Sequence, residues 1–413
     1  MSTDCDVAIV GAGPAGLCLA RALDGLGLKI MLLEAADRDR LARPPEDGRE
    51  IALTHASRSL LEKLGVWQHI DRAEISDLLD AEIYDGDSLE PLRISRHDGG
   101  SEQLGWLAAN YQIRKAAWQA VSEQSDIEMI LGRRVEGTSP KDNFRTLRLE
   151  GGDEVSARLV VAADSRFSNM RRAAGIGARM RDYGRSMLVA RVEIEADHGH
   201  VAREWFAYGR TLALLPLNGR RASAVITLPT AQTRRLAALE PEQFNAEVTA
   251  LYENRHGGMR LIADRHVYPM VGVWPDRVVA DRLALVGDAA VGMHPVTAHG
   301  FNLGLNSVRV LADEISRSLE QGNEVDAPAV LSGFQRRSRA TSLPLFLATS
   351  TVVGLYTDER AAARLVRRTM LKAASRLAPF RRAIAGQLTG RGSLPAPVEA
   401  LRRRVFESGR ASG

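Results

Sequence analysis

Cysteine is almost missing from this chain: Cys5 and Cys18 are the only two among 413 residues. They form no CxxC pair, so neither a thiol-built zinc site nor a redox dithiol is suggested. One opens the first apolar strand and the other lies on the helix after it, so both read as packing residues in a reducing compartment. The nine histidines contain no HExxH, and His198-Gly199-His200 reads as a solvated turn rather than a metal site. Long hydrophobic runs are missing too. The longest, Leu343 to Tyr356, is broken by Pro344, Ser350 and two threonines and falls short of a bilayer span. A few polar or small residues lead directly into the first strand, which leaves no room for a signal peptide and predicts a cytoplasmic protein. Charge of one sign is also lacking. With 55 basic and 51 acidic residues the net charge is +4, without the dominant basic surface of a nucleic-acid binder. No repeat or low-complexity linker occurs, so the two or three lobes expected at this length should pack closely.

What is present starts at Val7-Ala8-Ile9-Val10-Gly11-Ala12-Gly13-Pro14-Ala15-Gly16-Leu17. A buried apolar strand runs into a glycine turn and then into an apolar helix. Gly11 permits the turn, Gly13 lets the backbone approach a pyrophosphate, and Gly16 lets the helix pack on the strand. The helix start, with Pro14 and Ala15, offers open N–H groups and the positive end of a dipole to phosphate. A second strand, Lys29 to Leu33, ends in Glu34, a carboxylate placed about 20 residues on for a ribose hydroxyl. Chance glycines in an ordinary strand-turn-helix are the alternative. The full order of strand, turn, helix, strand and carboxylate favours an adenine dinucleotide, FAD or NAD.

Along the chain, Arg38 to Glu50 reads as a polar loop and Ile51 to Trp67 as a helix closed by Gly65. Residues 76–96 read as strands and turns, and Asn110 to Ser122 as a helix. Leu159 to Ala163 is a buried strand ending in Asp164. Segments 187–194, 212–217 and 223–228 predict an inserted antiparallel sheet. A helix follows over Glu242 to Tyr252. Strand Leu283 to Val286 then ends in Gly287-Asp288, and a long helix starts near Phe301. An aspartate at the carboxyl end of a parallel strand sits where open α/β sheets bind ligands. Asp288 is thus a candidate for a ribityl hydroxyl, and the helix start after Pro295, at Gly300-Phe301-Asn302, for the pyrimidine edge of a flavin. A glycine-rich loop that merely reverses direction is the bland reading of that stretch.

The ordered set Gly11-x-Gly13-x-x-Gly16, Asp164, and Gly287-Asp288…Pro295…Gly300-Phe301-Asn302-Leu303-Gly304 resembles the class A flavoprotein aromatic hydroxylases. Gly48-Arg49-Glu50-Ile51-Ala52-Leu53, Ser57 and Leu64-Gly65-Val66-Trp67 are similar to the ubiquinone-biosynthesis hydroxylases among them. The likeness covers nearly the whole chain. It differs at Ser165, commonly Gly, at Val291, commonly His, and at Thr297-Ala298-His299 in place of Ala-Gly-Gln.

The resemblance implies an α/β fold: a Rossmann-type FAD-binding domain (1–75 with 105–175 and 265–330), an inserted antiparallel-sheet substrate domain (76–104 with 176–264), and a helical, basic C-terminal region (331–413). It implies FAD as cofactor and NAD(P)H as co-substrate bound transiently, since no second GxGxxG occurs. Oxygen from O2 would pass through a C4a-hydroperoxide to the ring of a polyprenyl phenol or quinol. Arg49 and Arg114 are implied as flavin-contacting arginines, against surface salt bridges as the plainer roles. No protein acid or base is named. His294 and His299 fit proton shuttling and fit equally a hydrogen-bonded loop. The stripe Leu188, Ala190, Val192, Leu212, Leu214, Val225 and Ile226 is either substrate lining or core. The basic stretch around Arg364, Arg367, Arg368, Lys372, Arg376, Arg381 and Arg382 is either a solvated face or a peripheral contact with an anionic inner membrane, where polyprenyl quinols reside, and a biosynthetic complex is a further partner the resemblance allows. Three rivals remain: a hydroxylase of small soluble aromatics, an FAD-dependent isoprenoid reductase, and a non-catalytic flavin scaffold.

Overall fold

Five parallel strands run side by side in the order Leu283–Leu285, Glu154–Ala162, Cys5–Val10, Ile30–Glu34 and Ile127–Leu131. The computed structural model describes residues 3–357, apart from 87, 89, 124–125, 208 and 295–298, together with 385–386. The strands are continuously apolar because both faces are covered, as parallel sheets require. Ile9, Leu32, Leu33, Val160 and Val161 are fully buried. Register aligns the strand ends: Val10 lies opposite Ala162 and Leu33, and Ala162 opposite Leu285. Gly11, Glu34, Asp164 and Gly287 therefore emerge at one edge of the sheet. Helix Pro14–Leu23 begins with Pro at a position where its missing N–H costs nothing. It buries Leu17, Leu19 and Leu23 in the same core as Leu305, Val308 and Leu311 of helix Gly300–Glu320. Cys5 and Cys18 are buried here, and burial pushes both thiols up to about 12, so neither is a thiolate at neutral pH.

A second sheet orders Met259–Leu261, Ala178–Ile194, Arg221–Pro229, Arg210–Pro216, Val201–Ala207, Asp80–Asp85 and Leu92–Ser95. All neighbours are antiparallel except Val201–Ala207 beside Asp80–Asp85. Strand Val201–Ala207 escapes a reading of the sequence, because Arg203 and Glu204 interrupt its apolar run. Strand His266–Pro275, placed on sequence grounds with the dinucleotide unit, hydrogen-bonds instead to Ala178–Ile194. One face of this sheet packs on helix Pro241–Leu251. Leu188, Ala190, Val192, Leu212, Leu214 and Ile226 lie there with Phe244, Val248 and Tyr252. The stripe considered for substrate is core at these six positions. Val225, one residue off that register, is on the opposite face.

A small third sheet, Glu50–Leu53, Gly105–Ala109 and Ile75–Leu78, joins the two. It corrects the helix expected from Ile51: Ile51 to Leu53 are strand, Thr54 caps the next turn by accepting from the Ser57 N–H, and the helix is His55–Lys63. Inside the loop expected at Arg38 to Glu50 a short helix, Arg38–Ala42, forms on the Asp37 cap. Helix Pro328–Thr357 runs through Pro344. The basic stretch from Arg364 onward lies outside the described residues. No helix among the described residues is long and apolar enough to cross a membrane.

Candidate active site

The glycine turn is built by exclusion. Gly11 has φ +111°, and a Cβ there would stand 2.6 Å from the Ala163 carbonyl oxygen. A Cβ on Gly16 would overlap the Gly11 carbonyl oxygen. Gly13 is different: a Cβ there would meet nothing within 4 Å. The first two glycines close the packing, and the third borders open space at a helix start that no side chain caps. That is a cradle for an anion, beside the N–H groups of Pro14–Leu23.

The distant Gly287-Asp288 loop reaches the same cradle. Gly287, φ +63°, presses on the first helix, where an added Cβ would lie 2.8 Å from Ala15 Cβ. Its N–H donates to Ser307 Oγ at 3.0 Å, which fastens the loop to helix Gly300–Glu320. Asp288 is 42% exposed and faces Arg166 at 3.4 Å. Asp164 Oδ2 accepts from the Met170 N–H at 3.0 Å, while its buried Oδ1 has no hydrogen-bond partner. Glu34 does more than sequence predicts. It accepts from the N–H of Ala12 at 2.7 Å and of Ala36 at 2.9 Å, so it braces the turn. Its remaining lone pairs stay available to a hydroxyl.

Arg49 lies 2.6 Å from Asp47 and 5.3 Å over the Tyr268 ring. Burial would weaken its charge, but Asp47 outweighs burial and raises its pKa. Asp47 also accepts from Asn110 Nδ2 at 2.6 Å, and its backbone carbonyl accepts from the Tyr268 hydroxyl at 2.6 Å. Asp47, Asn110 and Tyr268 are the mount that sequence reading missed. No spacing rule links residues 221 positions apart. Arg114 stands one turn along helix Asn110–Ser122. Burial lowers its pKa, Asp47 and Glu34 counter that, and Arg49 and Arg40 add to it. It makes no hydrogen bond or ion pair among the described residues, which leaves a guanidinium for a phosphate.

At the helix Gly300–Glu320, Asn302 Nδ2 donates to the Ala52 carbonyl at 2.8 Å and its Oδ1 accepts from the Thr54 N–H at 3.1 Å. Asn302 thus ties this helix start to the strand that leaves Arg49. Phe301 packs against the main core, and a Cβ on Gly300 would meet nothing within 4 Å. Pro295 lies outside the described residues. His294 is buried edge-on to Tyr183, ring centres 4.9 Å apart. Burial, with Arg166 nearby, pushes it down to about 4, so it is neutral at pH 7. His198 and His200 stand in a turn, where the ring of His198 bonds the Leu217 carbonyl at 2.8 Å.

Ser165 has φ +105°, a conformation that favours glycine. Ser165→Gly should therefore raise stability by about 1 kcal/mol, read as a higher denaturation midpoint with unchanged slope. A midpoint that falls would show that the hydroxyl contributes more than the strain costs.

The open cradle at Gly13, the orphaned Asp164 oxygen and the unpaired Arg114 fit a dinucleotide with a charged diphosphate. With an antiparallel sheet joined to this unit, they match the fold and site expected of a flavin-dependent oxygenase. Residues 4–326 match the family model described as FAD binding domain. Ubiquinone hydroxylase UbiM of Neisseria meningitidis is 41% identical, over 94% of this chain and 86% of that protein. Ubiquinone hydroxylase UbiL of Rhodospirillum rubrum is 32% identical, over 96% and 92%. The crystal structure of p-nitrophenol 4-monooxygenase PnpA from Pseudomonas putida superposes with a TM-score of 0.74 at 18% identity, over 96% of this chain and all of that one, a likeness of fold. The chain belongs to the FAD-binding-domain family and, within it, to the ubiquinone hydroxylases, and it is a flavoprotein monooxygenase.

Proposed function

We propose that this enzyme hydroxylates the aromatic ring of a polyprenyl ubiquinone precursor, with NAD(P)H as reductant and O2 as oxygen source. The observation that carries the reading is the register that brings Gly13, Asp164 and Asp288 to one sheet edge beside Arg114. FAD would be held there by the N–H groups after Gly11, Gly13, Pro14, Ala15 and Gly16, by Glu34 at a ribose, and by Arg114 at the diphosphate. Asp164, Gly287 and Asp288 would take its hydroxyls. Arg49, Pro295, Gly300, Phe301 and Asn302 would surround its ring system. When bound, the flavin accepts hydride and, once reduced, activates O2 for transfer of one oxygen atom to the ring. The chain's part is to bind, orient and exclude water. Neutral His294 can accept or donate one hydrogen bond in this wall without bringing in charge. Trp274, Leu345 and Phe346, half-buried against the core residues Val291, Met293 and Leu303, offer an apolar wall for a prenyl chain next to that helix start.

Purified protein supplied with NAD(P)H, O2 and a detergent-dispersed short-chain demethoxyubiquinol is expected to yield a product heavier by one oxygen. FAD should appear on denaturation. Turnover of simple phenols only would favour the small-aromatic rival. Turnover without O2 would favour a reductase, and bound FAD with no NAD(P)H oxidation a scaffold.

A further inference from the structure

Among the described residues, helices Thr230–Ala237 and Pro241–Leu251 pack on one face of the second sheet. Residues directly opposite on neighbouring strands share a face. One transverse row reads His266, Val189, Val225, Ala213, Glu204 and Ile83. Trp205, the next residue along the strand from Glu204, is in the helix-covered core, so this row points the other way. The row's near end lies against the mount of Arg49. Tyr268, which bonds the Asp47 carbonyl, pairs with Met187 on the same face, and Arg191 of that face bonds Glu50 at 2.8 Å. The far end is closed where Ile83 and Ala202 pack on Leu78, Ile94, Leu104 and Ala385.

Glu204 is the one carboxylate in that row. It makes no hydrogen bond or ion pair among the described residues. It stays partly accessible although burial is enough to push its carboxyl up to about 8. The carboxyl is surrounded by protein and the residue is still not sealed from solvent. Asp85, Arg191, Glu193, Arg221, His266 and Tyr268 are on its own face, and Arg191 and Arg221 there are engaged by Glu50 and Glu74. On the other face Glu82 is engaged by Arg93, Arg203 and Tyr84. Burying a carboxylate without a partner is costly, so one placed on this face points to a partner that arrives with the ligand.

We propose that Glu204 receives the ring hydroxyl of the substrate, accepting its hydrogen bond and then its proton while the ring is oxidised. This rests on the reading that the substrate is a phenol or quinol. As the proton passes to the carboxylate, the electron pair left on oxygen feeds the ring and makes its carbons more nucleophilic. The oxygen atom comes from O2, reduced by NAD(P)H as in the family's reaction. When the oxygenated carbon loses its hydrogen to water as a proton, Glu204 returns its own proton to the ring oxygen. Glu204 ends as it began.

The test is steady-state hydroxylation of a short-chain demethoxyubiquinol by the FAD-loaded enzyme from acid to alkaline pH. In the wild type, kcat should rise through about pH 8 as the carboxylate ionises. Glu204→Gln should lower kcat/KM about 100-fold and abolish that rise, and Glu204→Asp should recover part of both. A Glu204→Gln enzyme within twofold of wild type, or one that keeps the rise, overturns the proposal. Should the variant lose its flavin, the wild-type profile decides: a flat one overturns the proposal by itself. Wild-type enzyme that binds FAD but forms no hydroxylated quinol overturns the substrate reading as well. Product from the wild type with an unaffected variant overturns only the role of Glu204.

Discussion

Gly16→Ala is expected to give a colourless protein. The added methyl overlaps the Gly11 carbonyl oxygen; its position is fixed by its own backbone and that oxygen is backbone, so no side chain can swing away. The helix Pro14–Leu23 must shift off the strand, which costs about 1–3 kcal/mol of packing. Hydrogen bonds to a charged phosphate are worth about 1.5–3 kcal/mol each. Misplacing even one predicts roughly a 10- to 100-fold weaker hold on FAD. Gly13→Ala is the matched control, because its methyl meets only open space in the protein. It should lose flavin and keep its thermal midpoint. Visible absorbance per mole of protein and apo-protein titration with FAD measure the first effect, and thermal unfolding of both apo-proteins measures the second. Full flavin occupancy in Gly16→Ala would remove the turn from the cofactor site. Full occupancy in Gly13→Ala would show that the open side of the turn is not where phosphate lies.

Arg191→Met should cost about 3–5 kcal/mol at neutral pH, the range for removing one partner of a buried ion pair. Arg191 joins the second sheet to the first unit through Glu50 at 2.8 Å and Glu74 at 3.0 Å, and the Glu50 side chain is only 1% exposed. Burial raises the Glu50 pKa even with Arg191 present, and Arg191 and its hydrogen bond oppose that rise. Without the guanidinium the folded-state pKa climbs further above the unfolded value. Between those two values the folded form then binds more protons than the unfolded form, so stability rises as pH falls. The variant should therefore recover part of its deficit on acidification from pH 7 toward the ordinary carboxylate range. Denaturant midpoints of both proteins at two pH values check this. A deficit that is the same at both would mean that Glu50 is not the group left stranded.

The first unit is legible because its signals are local. Strand Cys5–Val10, the glycine turn and helix Pro14–Leu23 are contiguous, and each residue type is demanded by backbone sterics a few positions away. The same holds for Leu283–Leu285 with Gly287 and for helix Asn110–Ser122. Ile51 to Leu53 misled because a short apolar run suits either period. It became strand through pairing with Leu107 and Ala108, more than fifty residues on. Val201–Ala207 was hidden for a related reason. Its charged pair looks like loop until Asp80–Asp85 and Arg210–Pro216 flank it and give Arg203 a carboxylate.

By itself the sequence determined the chemistry this protein can host: glycines where only glycine fits, a carboxylate after the second strand, and the Gly-Asp loop far downstream. Only the tertiary structure decided which groups meet. Pairing register set the strand ends level, placed Arg49 on Asp47 and Tyr268, and turned Glu204 to the face opposite helix Pro241–Leu251. The reason is physical: steric demands of a turn act over a few bonds and are written in adjacent letters. The partners of a buried charge are chosen across the whole core, where a shift of one residue along a strand sends every side chain to the other face.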